Sequence, residues 1–213
     1  MPKLRVHNLA ISLDGYVAGP NQSPDNPLGE GGMRLHEWVF NTETGHKWTG
    51  SEGGEAGVDE DFIVAGDVGV GATIMGRNMF GPIRGAWPNE DWQGWWGDNP
   101  PYHHDTFVMT HHPRRSLPMA GGTTFHFVDD TPEEVLRLAF KAADGKDVRL
   151  GGGSSVVRQF LQAGLVDEMH LAVVPILLGG GERLYDELGV LPGYAVSSVV
   201  RSPAVTHVVF TKA

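Results

Sequence analysis

The sequence predicts an α/β fold with a central, mainly parallel sheet and an antiparallel edge at its C-terminal end. Three observations predict it. Through the middle of the chain, short apolar runs of strand length alternate with helical patterns, the arrangement that builds parallel sheets. One strand passes into one helix through three consecutive glycines, Gly151 to Gly153. Two β-rich runs then close the chain around Ser202-Pro203, as a terminal hairpin does.

LRVHNLAISL, residues 4–13, reads as a mostly buried strand, broken by the turn formers of DGYVAGPNQSPDNP. Between Gly19 and Gly57 the pattern supports only a short helix at Met33–Phe40. A loop of this length in a compact domain is functional or disordered, and its tryptophans argue for order. DEDFIVA, residues 59–65, is a short helix with acids in its first turn, where the helix dipole favours them. Ala72–Met75, Thr106–Thr110 and Thr124–Val128 are short strands. Thr131 then opens a helix: Thr131 and Glu134 make a capping box and Pro132 takes the first helical position. Val135, Leu138, Ala139 and Ala142 share one face, and Gly145 is the C-cap. Asp147–Leu150 is a strand. Val156, Val157, Phe160 and Leu161 form the buried stripe of the next helix, which Gly164 stops. Val166–Leu178 reads as one long apolar strand, and strands near 195–201 and 205–211 end the chain.

The 213 residues suit a single domain over 1–213, with residues 20–57 as a loop-rich insertion. A formal charge of −10 argues against a broad nucleic-acid face but leaves room for a local basic pocket. No apolar run is long enough to span a bilayer, and the N-terminus enters strand pattern directly, without a signal core. A cytoplasmic protein is the expectation. The absence of cysteine excludes disulfides, thiolate catalysis and cysteine-ligated zinc.

RLGGGSSVVRQFL, residues 149–161, carries the strongest chemical signal. Glycines let a ligand approach the backbone. The helix mouth offers free N–H groups and positive potential, and Ser154 and Ser155 add hydroxyls. Together they suit a phosphate or pyrophosphate. The alternative is a tight turn with Ser154 as a plain N-cap. Val156 stands where a Rossmann loop needs its third glycine, and no Gly-Lys-Ser/Thr of a Walker loop is present. TIMGRNMFGP, residues 73–82, adds Arg77, which can fork onto a phosphate or sit in an exposed turn. VMTHHP, residues 108–113, ends a strand in hydroxyl and imidazole groups. No carboxylate at helpful spacing makes the histidine pair a metal site, so no metal is expected.

In this order, SLDGYVAG (12–19), IMGRNMF (74–80), LGGGSSVVRQFL (150–161) and VDEMHLAVVPILLGGGERLY (166–185) resemble the dihydrofolate reductase-like superfamily. Within it the chain is most similar to the reductase domain of the bifunctional riboflavin-biosynthesis deaminase/reductase and its stand-alone relatives. The resemblance spans nearly the whole chain and is poorest over 20–57. It implies a three-layer fold and an NADPH-dependent reductase that passes hydride to a small heterocyclic or carbonyl substrate, of the 5-amino-6-(5-phosphoribosylamino)uracil reductase type. It implies NADP(H) across the carboxyl ends of the strands. Gly76 and Arg77 would meet the adenosine-side phosphates, and Thr110 and His111 the adenine ribose and its 2′-phosphate. Gly152, Gly153, Ser154 and Ser155 would hold the pyrophosphate. Ala10, Ile11 and Val17 would enclose the nicotinamide, and a homodimer is expected.

The deaminase half of the bifunctional enzyme needs cysteines for zinc, so that activity is absent here. The superfamily's pocket carboxylate has two candidates. Asp61 stands on the helix after the first loop, where it is otherwise a helix-start charge. Asp14 stands beside Ser12 on the substrate-side turn, where it is otherwise a plain turn residue. Either would act through ordered water as catalytic group, since no side chain is an obvious general acid. Trp38, Trp92, Trp95 and Trp96 would wall or cover a planar substrate, form an interface, or pack the insertion, with Trp38 beside Arg34, His36 and Glu37. A nucleotide-binding protein without catalysis, a flavin-binding protein and a dihydrofolate reductase stay open as alternatives.

Overall fold

A computed structural model describes residues 1–189 and 193–213. Along the chain come β1 (Leu4–Ser12), β2 (Tyr16–Ala18), a 3-10 turn (Gly32–His36), α1 (Glu37–Phe40), α2 (Glu43–Trp48) and α3 (Val58–Asp67). β3 (Val70–Gly76), α4 (Arg77–Phe80), β4 (Asp105–Met109), β5 (Leu117–Pro118) and β6 (Thr124–Val128) follow. Then come α5 (Pro132–Ala143), β7 (Asp147–Leu150), α6 (Ser154–Gln162), β8 (Glu168–Val174), β9 (Glu182–Arg183), β10 (Tyr194–Arg201) and β11 (Thr206–Lys212). The residues form two compact units: Met1–Val6 with Gly69–Asp167, and His7–Val68 with Glu168–Ala213.

In the first unit the strand order is β7-β3-β4-β6-β5, with residues 4–6 of β1 on β7. Every pairing is parallel except β5 on β6. α5 packs on β3, β4 and β7. Its buried residues are Val135, Leu136, Ala139 and Ala143, while Leu138 and Ala142 are only half-buried. Thr131 Oγ1 accepts from the Glu134 N–H at 3.4 Å, but the Glu134 carboxylate takes Arg137 (2.6 and 2.9 Å), so the expected capping box is half made. The helix ends one residue earlier than the sequence suggests, with Asp144 already left-handed at φ 49° before Gly145. A second cluster of Met75, Phe80, Val108, Phe125 and Phe127 takes Trp87, Trp92 and Trp96 against it.

In the second unit β10, β11 and β8 form an antiparallel set, with the rest of β1 next to β8. β2 and β9 make a separate antiparallel pair. The core holds Ala10, Leu35, Trp38, Val39, Ile63, Ala172, Val174 and Val205. Two expectations need correcting. The stretch from Gly19 to Gly57 contains α2 in addition to the short helix, capped by Thr42 Oγ1 accepting from the Gly45 N–H at 3.1 Å. And β8 stops at Val174, not Leu178. Pro175 removes a ladder donor there, and the following backbone pairs with the turn after β1: the Leu13 N–H donates to the Ile176 carbonyl at 2.9 Å.

α3 lies close over β1. A Cβ on Gly66 would stand 2.4 Å from Asn8 Nδ2 and 2.9 Å from His7 Nδ1. Gly66→Ala is therefore expected to lower stability by about 1–3 kcal/mol, read as the urea midpoint at constant slope. An unchanged midpoint would mean that α3 shifts without cost.

Candidate cofactor and substrate sites

In the first unit the glycine loop is laced to the end of β3. The Gly151 N–H donates to the Ile74 carbonyl at 2.8 Å, and the Gly76 N–H donates to the Gly152 carbonyl at 2.7 Å. Gly76 permits this approach, since a Cβ there would stand 2.8 Å from Val156 Cγ2. Gly153, not Ser154, is the N-cap of α6. A Cβ on Gly153 would meet nothing within 4 Å, and the first turn of α6 carries no acid. Ser154 is buried at that turn and Ser155 is exposed. The loop thus brings Gly76, Gly152, Gly153 and Ser154 together at a helix mouth with positive potential.

Arg77 opens α4 directly after β3. Its Nη1 donates to Thr110 Oγ1 at 3.4 Å, and its guanidinium lies 3.8 Å from the centre of the Trp87 ring. Its Nε and Nη2 are buried and have no hydrogen-bond partner. Burial, then the charges of Arg84 and Arg114, push its pKa down. Arg114 lies over the Trp87 and Phe127 rings at 4.3 and 4.4 Å, donates from Nη2 to the Trp92 carbonyl at 2.5 Å, and leaves Nη1 buried without a partner. Trp87 is held by its Nε1–H, which donates to the His112 carbonyl at 2.6 Å. Two guanidiniums with unpartnered buried donors thus gather positive charge on one indole in an acidic chain. Sequence reasoning missed Arg84, Trp87 and Arg114. The signal was there: Arg114 and Arg115 directly follow the His111-His112-Pro113 that ends β4. His111 itself is exposed and faces Asp129 at 2.9 Å.

In the second unit Ala10, Ile11, Ser12 and Val17 are buried. Asp14 closes the turn after β1. Its carboxylate accepts from Ser12 Oγ at 2.6 Å, the Leu178 N–H at 3.1 Å and the Gly179 N–H at 2.7 Å. The Ser12 hydroxyl above all, then the two backbone donors, holds its pKa down to about 2. An acid that stays ionised at neutral pH donates no proton; what Asp14 visibly does is tie the turn to residues 178–179. Asp14→Asn turns an amide N–H toward those donors. Amide exchange at Leu178 and Gly179 is expected to quicken and the melting temperature to fall, whereas unchanged exchange would remove this anchoring role. Asp61 is exposed on α3, and the acid that turns inward is Asp59. Trp38 lies in the core at 2 % exposure. Trp92, Trp95 and Trp96 are half-buried in the first unit, where Trp92 Nε1 donates to the Phe80 carbonyl at 3.0 Å and Trp96 stacks on Phe125.

Among the described residues no group of three or more histidines or acids is arranged to hold a metal, and no helix is long and apolar enough to cross a membrane.

An uncharacterized protein of Bacillus subtilis (strain 168), YyaP, is 44 % identical over 57 residues, which is 27 % of this chain and 29 % of that protein. The match thus spans less than a third of the relative. A putative riboflavin biosynthesis protein from Shewanella sp. PV-4 superposes with a TM-score of 0.64 at 22 % identity, over 99 % of both chains. Dihydrofolate reductase from Enterococcus faecalis, complexed with NADP(H) and RAB-propyl, superposes with a TM-score of 0.56 at 15 % identity, over 99 % of this chain and 96 % of that one. The fold is that of the dihydrofolate reductase-like proteins. The profile of the RibD C-terminal domain matches residues 2–207, and the chain belongs to that family.

Proposed function

We propose that the protein is an NADPH-dependent reductase of the riboflavin-pathway type, acting on a small heterocyclic or carbonyl substrate. One observation carries the choice of cofactor: Arg77, stacked on Trp87 with two buried, unpartnered donors beside Arg84 and Arg114. Buried cationic donors without acceptors cost free energy, and a phosphate monoester supplies the acceptors they lack. The residues present therefore fit a 2′-phosphorylated dinucleotide.

NADPH supplies the hydride when bound. Arg77, with Arg84 and Arg114 near it, would hold the 2′-phosphate, and the Trp87 ring keeps the Arg77 and Arg114 guanidiniums in place. The N–H groups at the mouth of α6, with Ser154 and Ser155, would hold the pyrophosphate. Gly76 keeps the end of β3 close enough to the loop for both sets of contacts to serve one molecule.

Tryptophan fluorescence tests this directly, because Trp87 lies against Arg77 and Arg114. Titration with NADPH is expected to quench saturably, and NADH to bind far more weakly. No saturable binding of either would end the reductase reading. Tight NADPH binding with no oxidation across riboflavin and folate precursors would leave a nucleotide-binding protein without catalysis.

A further inference from the structure

Between α4 and β4 the first unit carries a segment held by side chains alone. Among the described residues, no backbone N–H or carbonyl of residues 82–97 makes a backbone–backbone hydrogen bond. The far half of the segment is well fixed. The Trp92 indole N–H donates to the Phe80 carbonyl, the Trp92 carbonyl accepts from Arg114, and the Trp92 ring meets Trp95 edge-on at 4.7 Å. The near half is not. Residues 85–91 have one hydrogen-bonded tie to the other described residues, the 2.6 Å bond from Trp87 Nε1 to the His112 carbonyl. The Asp91 N–H only turns back to Asn89 Oδ1, at 3.1 Å. Gly85, Ala86 and residues 88–91 are exposed, and Trp87 is the side chain that turns inward.

That side chain lies on the basic cluster. The Trp87 ring stands 3.8 Å from the Arg77 guanidinium and 4.3 Å from that of Arg114, and meets Phe80 and Phe127 edge-on at 6.1 and 5.7 Å. The donors a phosphate would use, Arg77 Nε and Nη2 and Arg114 Nη1, are buried as well as unpartnered. A phosphate does not reach a buried donor until something moves aside. The arrangement that orders the guanidiniums therefore also shuts them away. The near half of the segment is the part that gives way at least cost. Releasing Trp87 breaks one hydrogen bond and no backbone ladder. Gly85, at φ 68° and with nothing within 4 Å of a Cβ placed there, is free to turn.

We propose that residues 85–91 are a strap over the arginine cluster, which pivots at Gly85, lifts Trp87 off Arg77 and Arg114 to admit a phosphate group, and closes again behind it. Trp87 is then a positioning residue that sets how fast the site loads as well as how its guanidiniums are ordered. For its ligand the proposal rests on the reading of Arg77 as the holder of the 2′-phosphate. For the motion it does not, because the strap opens in the protein without cofactor.

Two measurements test it, one with cofactor and one without. In rapid mixing followed by NADPH emission, the observed binding rate of the full chain is expected to level off as NADPH rises, because opening limits it. Trp87→Phe keeps a ring on the arginines and drops the tie to His112. It is expected to lift that plateau about tenfold while the dissociation constant moves by less than about threefold. A packing role for Trp87 would weaken binding and leave the plateau in place, and would overturn the strap. So would a rate that climbs in proportion to NADPH and is equal in both proteins. The chain has no cysteine, so Ala86→Cys places a unique thiol on the strap for a spin label. Without cofactor, Trp87→Phe in that background is expected to free the label. Unchanged label mobility would overturn the strap even where NADPH binds tightly. A freed label with no NADPH binding would end the reductase reading and keep the strap.

Discussion

Arg77→Ala is expected to raise the dissociation constant for NADPH about 100-fold and that for NADH by less than about threefold. The asymmetry follows from the chemistry of the pocket. The two cofactors differ only in the 2′-phosphate, so a residue that serves that group alone separates them. The Arg77 side chain brings two buried donors without partners and a guanidinium plane pre-set by Trp87, so a phosphate finds its contact already ordered. Stability should change little. The variant loses stacking worth about 0.5–1 kcal/mol but also relieves the repulsion from Arg84 and Arg114. Added salt should narrow the gap between the cofactors, because exposed charge near the phosphate is screened. Equal weakening of both cofactors would take the 2′-phosphate away from Arg77 and assign the residue to the shared pyrophosphate.

Acid is expected to unfold the second unit from an unusually high pH. Burial, then the charges of His7 and His207, holds the His170 pKa down to about 3, against an ordinary value of 6.5, and burial lowers His207 too. The unfolded chain therefore binds protons that the folded chain refuses. Stability is full above pH 6.5 and declines as pH falls toward 3, by about 1.4 kcal/mol per pH unit for each such proton. Asp14 works lower: with its pKa at about 2 against 3.8, its contribution is lost only between those values. Urea unfolding between pH 6.5 and 4.5 thus isolates the histidines from Asp14. His170→Gln retains an acceptor for Asn8 and a donor for His207 but does not titrate. It should reduce the slope in that window by about 1.4 kcal/mol per pH unit. A variant with the wild-type slope would place the titration elsewhere.

Much of the fold was legible because its signals are local. The stripe Val156, Val157, Phe160 and Leu161 is buried as periodicity requires, and Thr131 caps α5 as its position before Pro132 implies. α2 was not legible: at six residues with a glycine at its third position it carries no apolar period, and it is set by its Thr42 cap and by contact with α1. Asp59 was recoverable. It lies four residues before Ile63, on the helix face that turns inward, whereas Asp61 lies off that face. Arg114 was recoverable from its place just past Pro113. The histidine pair was not. His170 and His207 meet only because β11 pairs with β8 in the register that sets Val209 opposite His170 and Ala172 opposite His207, and nothing in either segment announces that register.

The division of the second unit between residues 7–68 and 168–213 has a kinetic consequence. Its core, its histidine chain and the Asp14 anchor each join the two segments across the intervening 69–167. Such distant pairings form late, because the loop between them must close before any contact rewards it. The first unit draws almost all its contacts from one continuous stretch, and its local helix–strand pairings give it the head start in refolding. Removing residues 168–213 would leave 7–68 without the strands β8 and β11 on which its core is built, so the early part of that unit cannot mature on its own.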